Sequence, residues 1–188
     1  MSLTQGRHEG DAAPRTPAVN AGLPHDETRP ADYVFALARI AIGWVFLWAF
    51  LDKLFGWGFA TPSARAWING GSPTTGFLKG TTEHTFGGFF SGLAGQAWVD
   101  WLFMAGLAGI GAALILGAGM RIAAATGGLL LVFMWAAELP LTTNPFVDEH
   151  IIYAIVLAGL ALAGAGDTLG IGRWWSGTAI VRRHPVLK

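Results

Sequence analysis

The stretch NPFVDEHIIYA, residues 144–154, sets Asp148, Glu149 and His150 side by side directly before an apolar run. Asn144 and Pro145 turn the chain, and Asp148 suits the cap of a helix that follows, its carboxylate accepting the orphan amides of the first turn. Acidic groups also favour the positive end of a helix dipole, so capping alone accounts for Asp148 and Glu149. It does not account for His150. A helix N-terminus favours the neutral imidazole, which both donates and accepts a hydrogen bond; that is the chemistry of a partner for a quinone carbonyl or of a proton relay. Metal chemistry is not expected. Adjacent helical residues diverge and cannot converge on one ion, and although Glu138 in the neighbouring loop would complete a set, nothing in the spacing requires it.

The cations form a second group. Arg39 lies about two turns inside an apolar run, where a charge is expensive and marks a partner, a site or a side chain that snorkels to the headgroups. At about 3.6 residues per turn, Arg39, Gly43, Phe46, Phe50 and Lys53 share one face, so a single stripe carries a cation at each end. Cysteine is absent, which removes disulfides, thiol redox chemistry, thiolate zinc sites and iron–sulfur ligation. Haem lacks a facing histidine pair: only His150 lies at an apolar segment, with His8, His25 and His184 near the chain ends and His84 in a loop. The glycines of GAGDTLGIG do not have dinucleotide-binding spacing and read as a helix end with a turn at Asp167.

The elements that position these residues are membrane spans. Of 188 residues, 53% are hydrophobic and 13% charged, and the mean hydropathy is +0.47, outside the range of soluble domains. Twelve basic residues balance twelve acidic ones, which gives no attraction to nucleic acid. Crossing the hydrocarbon core takes about 20 apolar residues in a helix, and four segments qualify: 33–55, 99–119, 121–140 and 149–170. The expected fold is an all-α integral membrane protein, an antiparallel bundle of four transmembrane helices. Ala105, Gly109, Ala113 and Gly117 offer a small-residue row for close packing in the second span, and Ala154, Ala158 and Leu162 beside Ala161 and Ala165 repeat the device in the fourth.

Residues 1–31 lack a signal-peptide core and read as a disordered cytoplasmic tail, and residues 176–188 as a basic cytoplasmic tail. With both ends inside, the inner side carries Arg7, Arg15, Arg29, Arg121, Arg173, Arg182, Arg183 and Lys188. The outer side has only Lys53, Arg65 and Lys79, so the positive-inside bias sets this orientation at the plasma membrane. The long loop 56–98 then lies outside, carrying short interfacial helices over 63–69, between Pro62 and Gly70, and within 86–98. Trp57, Trp67, Trp98, Trp101, Trp174 and Trp175 fall near the boundaries, as an aromatic belt does.

The stretches ARIAIGWVFLWAFLDKLFGWGF, ARAWINGGSPTTGFLKG, WVDWLFM, GMRIAA, NPFVDEHIIYA and GAGDTLGIGRWW resemble the DoxX/DoxD family of four-span membrane proteins, closest to its DoxD branch. The resemblance runs from about Arg39 to Trp175. It implies a membrane oxidoreductase, or the membrane subunit of one, similar to thiosulfate:quinone oxidoreductase, with quinone as co-substrate and a small DoxA-like subunit or another respiratory-complex subunit as partner. Under that reading His150, Arg39 and Lys53 are the catalytic candidates. Arg65, Lys79, Trp48, Glu149 and Asp148 are the substrate-binding candidates, the cations suiting a dianion such as thiosulfate. No flavin-binding motif is evident. A non-catalytic membrane scaffold or accessory subunit is the second reading. A small transporter is third, because the middle of the second to fourth spans is almost wholly apolar.

Overall fold

The computed structural model describes residues 28–188. Most of the expected tail 1–31 lies outside them, and Pro30 and Ala31 already belong to the first helix. Eight α-helices follow in order: α1 Pro30–Phe55, α2 Thr75–Gly80, α3 Gly87–Gly92, α4 Ala97–Leu116, α5 Met120–Ala137, α6 Glu149–Leu162, α7 Gly172–Ser176 and α8 Ala179–Arg183. Among the described residues there is no strand, only an isolated bridge between Trp57 and Pro62.

Helices α1, α4 and α5 are long and apolar enough to cross a membrane, and between 28% and 33% of each apolar window is buried inside the protein. The remainder presents Leu37, Leu102, Leu129, Phe133 and similar side chains outward. In water such a surface would aggregate; in lipid it is solvated, while the helices satisfy their own backbone groups. The chain is an all-α membrane protein. The fourth apolar segment is shorter than the expected 149–170, because α6 ends at Leu162 after 14 residues. At roughly 1.5 Å per residue it spans about 21 Å. Its run is stopped at Gly164, which takes a left-handed φ of 67°, and residues 163–171 form turns.

The long helices alternate in direction. Helix α1 lies along α4, α4 along α5 and α5 along α6, with a lighter contact returning from α6 to α1. Ile42, Phe46, Met104, Leu107, Ile110, Leu114, Leu131, Leu157 and Leu160 share the core. The expected face of α1 is the buried one, with Arg39, Gly43 and Phe46 inside. Only the second half of the expected small-residue row is an interface: Ala113 packs on the core and Gly117 is buried against Gly166, whereas Ala105 and Gly109 are exposed and a Cβ added at Gly109 meets nothing within 4 Å. The close approach instead joins Gly111 to α1, where an added Cβ would stand 2.8 Å from the Leu47 amide nitrogen and 3.1 Å from the Gly43 carbonyl. Leu107, Ile110 and Leu114 flank Gly111 on the buried face, so large apolar neighbours, rather than a row of small ones, fix the orientation of α4.

The long loop is an ordered cap on one end of the helices. Asp52, buried near the end of α1, accepts the amides of Ala60 at 2.9 Å and Thr61 at 2.8 Å. Asp100, in the first turn of α4, accepts the Ser72 hydroxyl at 2.9 Å and the Thr74 hydroxyl at 2.6 Å. The Thr85 amide donates to the Leu139 carbonyl at 2.7 Å, and Leu78 and Phe90 pack on Ala137. In place of the expected single helix over 63–69 there are two 3₁₀ turns, Ser63–Arg65 and Trp67–Asn69, stopped at Gly70. Trp67 is half-buried, stacked edge-on against Trp101. The expected tail 176–188 folds back, with the Trp175 indole donating to the Leu187 carbonyl at 2.7 Å.

Gly111→Leu should lower the melting temperature in detergent by the equivalent of about 1–3 kcal/mol, through overpacking against α1. Gly109→Ala should change it by less than about 0.5 kcal/mol. Thermal melts of the two variants check this.

Candidate functional site

Two polar centres stand at opposite ends of the helices. The first is Arg39. It is fully buried, at 0% exposure, and meets no carboxylate among the described residues. One terminal nitrogen donates to the Leu114 and Ile115 carbonyls, the latter at 3.0 Å. The other donates to Thr168 at 3.3 Å and Leu169 at 2.8 Å. The two carbonyls on α4 belong to its last turn, the negative end of the helix dipole, so the guanidinium is balanced by aligned peptide dipoles. Glycines make room for it. A Cβ at Gly117 would stand 2.7 Å from the guanidinium, and one at Gly170 would stand 3.1 Å from it. Leu169 takes a left-handed φ of 50°, a strained position for a branched side chain, in presenting its carbonyl to Arg39.

The second centre is at the loop end. Asp148 caps α6 as the sequence predicts: Oδ1 accepts the amides of His150 at 3.1 Å and Ile151 at 3.2 Å. Its other oxygen, Oδ2, lies 2.8 Å from Nδ1 of His150. Both side chains of the pair are largely buried, and the hydrogen bond of the His150 ring is made at Nδ1. Glu138, the C-cap of α5, completes the group: one ligand atom from each of Glu138, Asp148 and His150 lies within 4.8 Å of the others. Sequence spacing left Glu138 optional. What brings it into the group is its position at the end of α5, because two antiparallel neighbours joined by a short loop bring their facing termini together.

Burial pushes the Asp148 carboxyl up. The hydrogen bond from the His150 ring, those from the Ile151 and His150 amides and the imidazole charge outweigh this and hold it below the ordinary carboxylate value. An Asp148 carboxylate that anchors the ring at Nδ1 leaves Nε2 as the free nitrogen for a proton, a carbonyl oxygen or a metal.

The other candidates are dispersed. Arg39 does not join His150: along α1 it precedes Lys53 by 14 residues, roughly 21 Å of helix, at the other end of the structure. Lys53 is half-buried with its ammonium 6.0 Å from the centre of the Phe103 ring. Arg65 and Lys79 are exposed on the loop, and Glu149 is exposed in the first turn of α6. Trp48 stacks with Trp44, Trp57 and Phe59 in an aromatic cluster at the loop end of α1. Cavities of about 110 and 150 Å³ lie at the Arg39 end, beside Gly164 and Asp167, and neither is lined by His150.

Because the folded Asp148 value lies below the unfolded one of about 3.9, its stabilisation is complete above about pH 4 and is lost as pH falls through the folded value. The melting-temperature gap between the wild type and Asp148→Ala, worth about 0.5–2 kcal/mol for the cap, should be open at about pH 5 and narrow below about pH 4. Thermal melts in chelator across that range check it.

Comparison of the chain with protein-family models, with curated proteins and with solved structures gives no match.

Proposed function

We propose that this chain is a multi-pass plasma-membrane protein of four antiparallel spans, with both termini cytoplasmic. In this reading it acts as an oxidoreductase, or as the membrane subunit of one, that passes electrons from a small sulfur-containing donor to a quinone. The observation that carries it is the buried Asp148–His150 pair, 2.8 Å apart, at the rim of an apolar helical body. Quinone reduction takes two electrons and two protons, and a carboxylate-anchored imidazole with a free nitrogen is suited to relay those protons at the level a lipid-borne quinone reaches. Two thiosulfate ions joining as tetrathionate would release the two electrons. Exposed Arg65 and Lys79 on the loop suit such dianions. The electrons pass directly or through a partner subunit's centre.

The four-span arrangement is supported by the way α6 is extended. Turns are tolerated at membrane depth where protein buries them and satisfies their carbonyls. Residues 163–171 meet that condition in part: Ala165 and Gly166 are buried, Arg39 donates to the Thr168 and Leu169 carbonyls, and the Ile171 amide donates to the Leu116 carbonyl at 2.9 Å. The sidedness rests on charge, because Arg29, Arg121, Arg173, Arg182 and Arg183 gather at the Arg39 end.

The purified chain, with and without added respiratory-complex subunits, is assayed for thiosulfate-dependent reduction of a water-soluble ubiquinone analogue. His150→Asn should lower kcat by about 10²-fold or more while leaving the melting temperature near that of the wild type. A chain that is inactive under both conditions and binds no quinone would remove the oxidoreductase reading. Quinone binding without turnover, with activity restored by a partner, assigns it the role of membrane subunit.

A further inference from the structure

The geometry points to a divalent transition-metal site at the loop end, held by Glu138, Asp148 and His150. Three facts converge there, and the ligands come from two helices. Glu138 ends α5, Asp148 caps α6 and His150 lies in the first turn of α6, with one ligand atom from each within 4.8 Å of the others. The second fact is independent of that spacing. The Glu138 carboxylate, half-buried, accepts no hydrogen bond and meets no cation among the described residues, yet it faces a second carboxylate whose side chain is 8% exposed. Two carboxylates this close in a partly dry setting repel, and a cation between them removes the repulsion. Third, His150 is 9% exposed, and its ring already stands against the carboxylate pair, with Nδ1 2.8 Å from Oδ2 of Asp148.

The donor set fixes the class of ion. One imidazole nitrogen and two carboxylates suit Zn²⁺, Mn²⁺ or Fe²⁺, whereas Mg²⁺ and Ca²⁺ take oxygen alone. Ligand atoms bonded to a tetrahedral zinc at about 2.0–2.1 Å stand roughly 3.3 Å apart, so the group closes on an ion by side-chain movement of about an ångström. Three protein ligands leave a coordination position for water or for a substrate oxygen. The site stands without the quinone reading, since a metal that orders the rim of a scaffold would use the same ligands.

The purified full chain, stripped with chelator, is titrated with ZnCl₂ and separately with MnCl₂, and the bound metal per chain is measured by elemental analysis after desalting. The expected result is one ion per chain, with affinity lowered at least about tenfold in Glu138→Gln and in His150→Asn and unchanged in Glu149→Gln, the exposed neighbour. Zinc should also raise the melting temperature of the wild type and leave that of Glu138→Gln unmoved. Because Glu138→Gln removes a carboxylate that holds no hydrogen bond, it carries the test even where His150→Asn fails to fold. Failure to bind an ion stoichiometrically, or equal affinity in wild type and Glu138→Gln, overturns the site. Neither readout involves electron transfer, so the failure of this site and the failure of the oxidoreductase reading are distinguishable.

Discussion

One buried guanidinium holds the end of this protein where α1 begins. Arg39 gathers carbonyls from the last turn of α4 and from the turn after α6, two segments that otherwise end in unsatisfied acceptors. In hydrocarbon an orphan carbonyl costs far more than in water, so a short apolar helix followed by irregular backbone is tenable only where such a donor exists. The glycines at 117 and 170 leave the room it occupies, and the turn that follows α6 presents the Thr168 and Leu169 carbonyls to it.

The opposite end is organised by anions. Asp52 and Asp100 spend their oxygens on loop amides and hydroxyls, making the cap over the helix ends rigid. Asp148 caps α6 and holds an imidazole, and Glu138 adds a carboxylate with no hydrogen-bond partner among the described residues. The contrast separates structure from chemistry. Both terminal nitrogens of Arg39 are taken up by carbonyls, leaving Nε unpartnered among the described residues, whereas the Glu138 carboxylate beside Asp148 and His150 has no hydrogen bond among them.

Much of this was legible in the sequence. Apolar length located the long helices, because a span must be continuous, and helical periodicity identified the buried face of α1 from Arg39 to Lys53. The Asp148 cap followed from local backbone chemistry. What escaped was tertiary. Periodicity alone cannot say whether a row of small residues faces a neighbour or lipid, so Ala105 and Gly109 were chosen over Gly111. Hydropathy alone carries the fourth segment on to residue 170, whereas the glycines of GAGDTLGIG read as a helix end, and it is at Gly164 that the helical run stops. Arg39 reads as a buried cation with a partner, a site or a route to the headgroups, and its four carbonyl partners are not legible because they come from segments 75 to 130 residues away in the chain. His150 and Asp148 were found together, but the third member of their group lies across the turn between α5 and α6.

The central claim is that Arg39 serves the fold and leaves the chemistry to the other end. Hydrogen exchange of Arg39→Met, read by mass spectrometry beside wild type, tests this most directly. The account predicts faster exchange in 114–118 and 166–172, where the Gly117, Ile171 and Gly172 amides are hydrogen-bonded, with protection at 149–153 retained. Unchanged exchange at 166–172, together with lost quinone reduction, would contradict it and return Arg39 to the reacting centre.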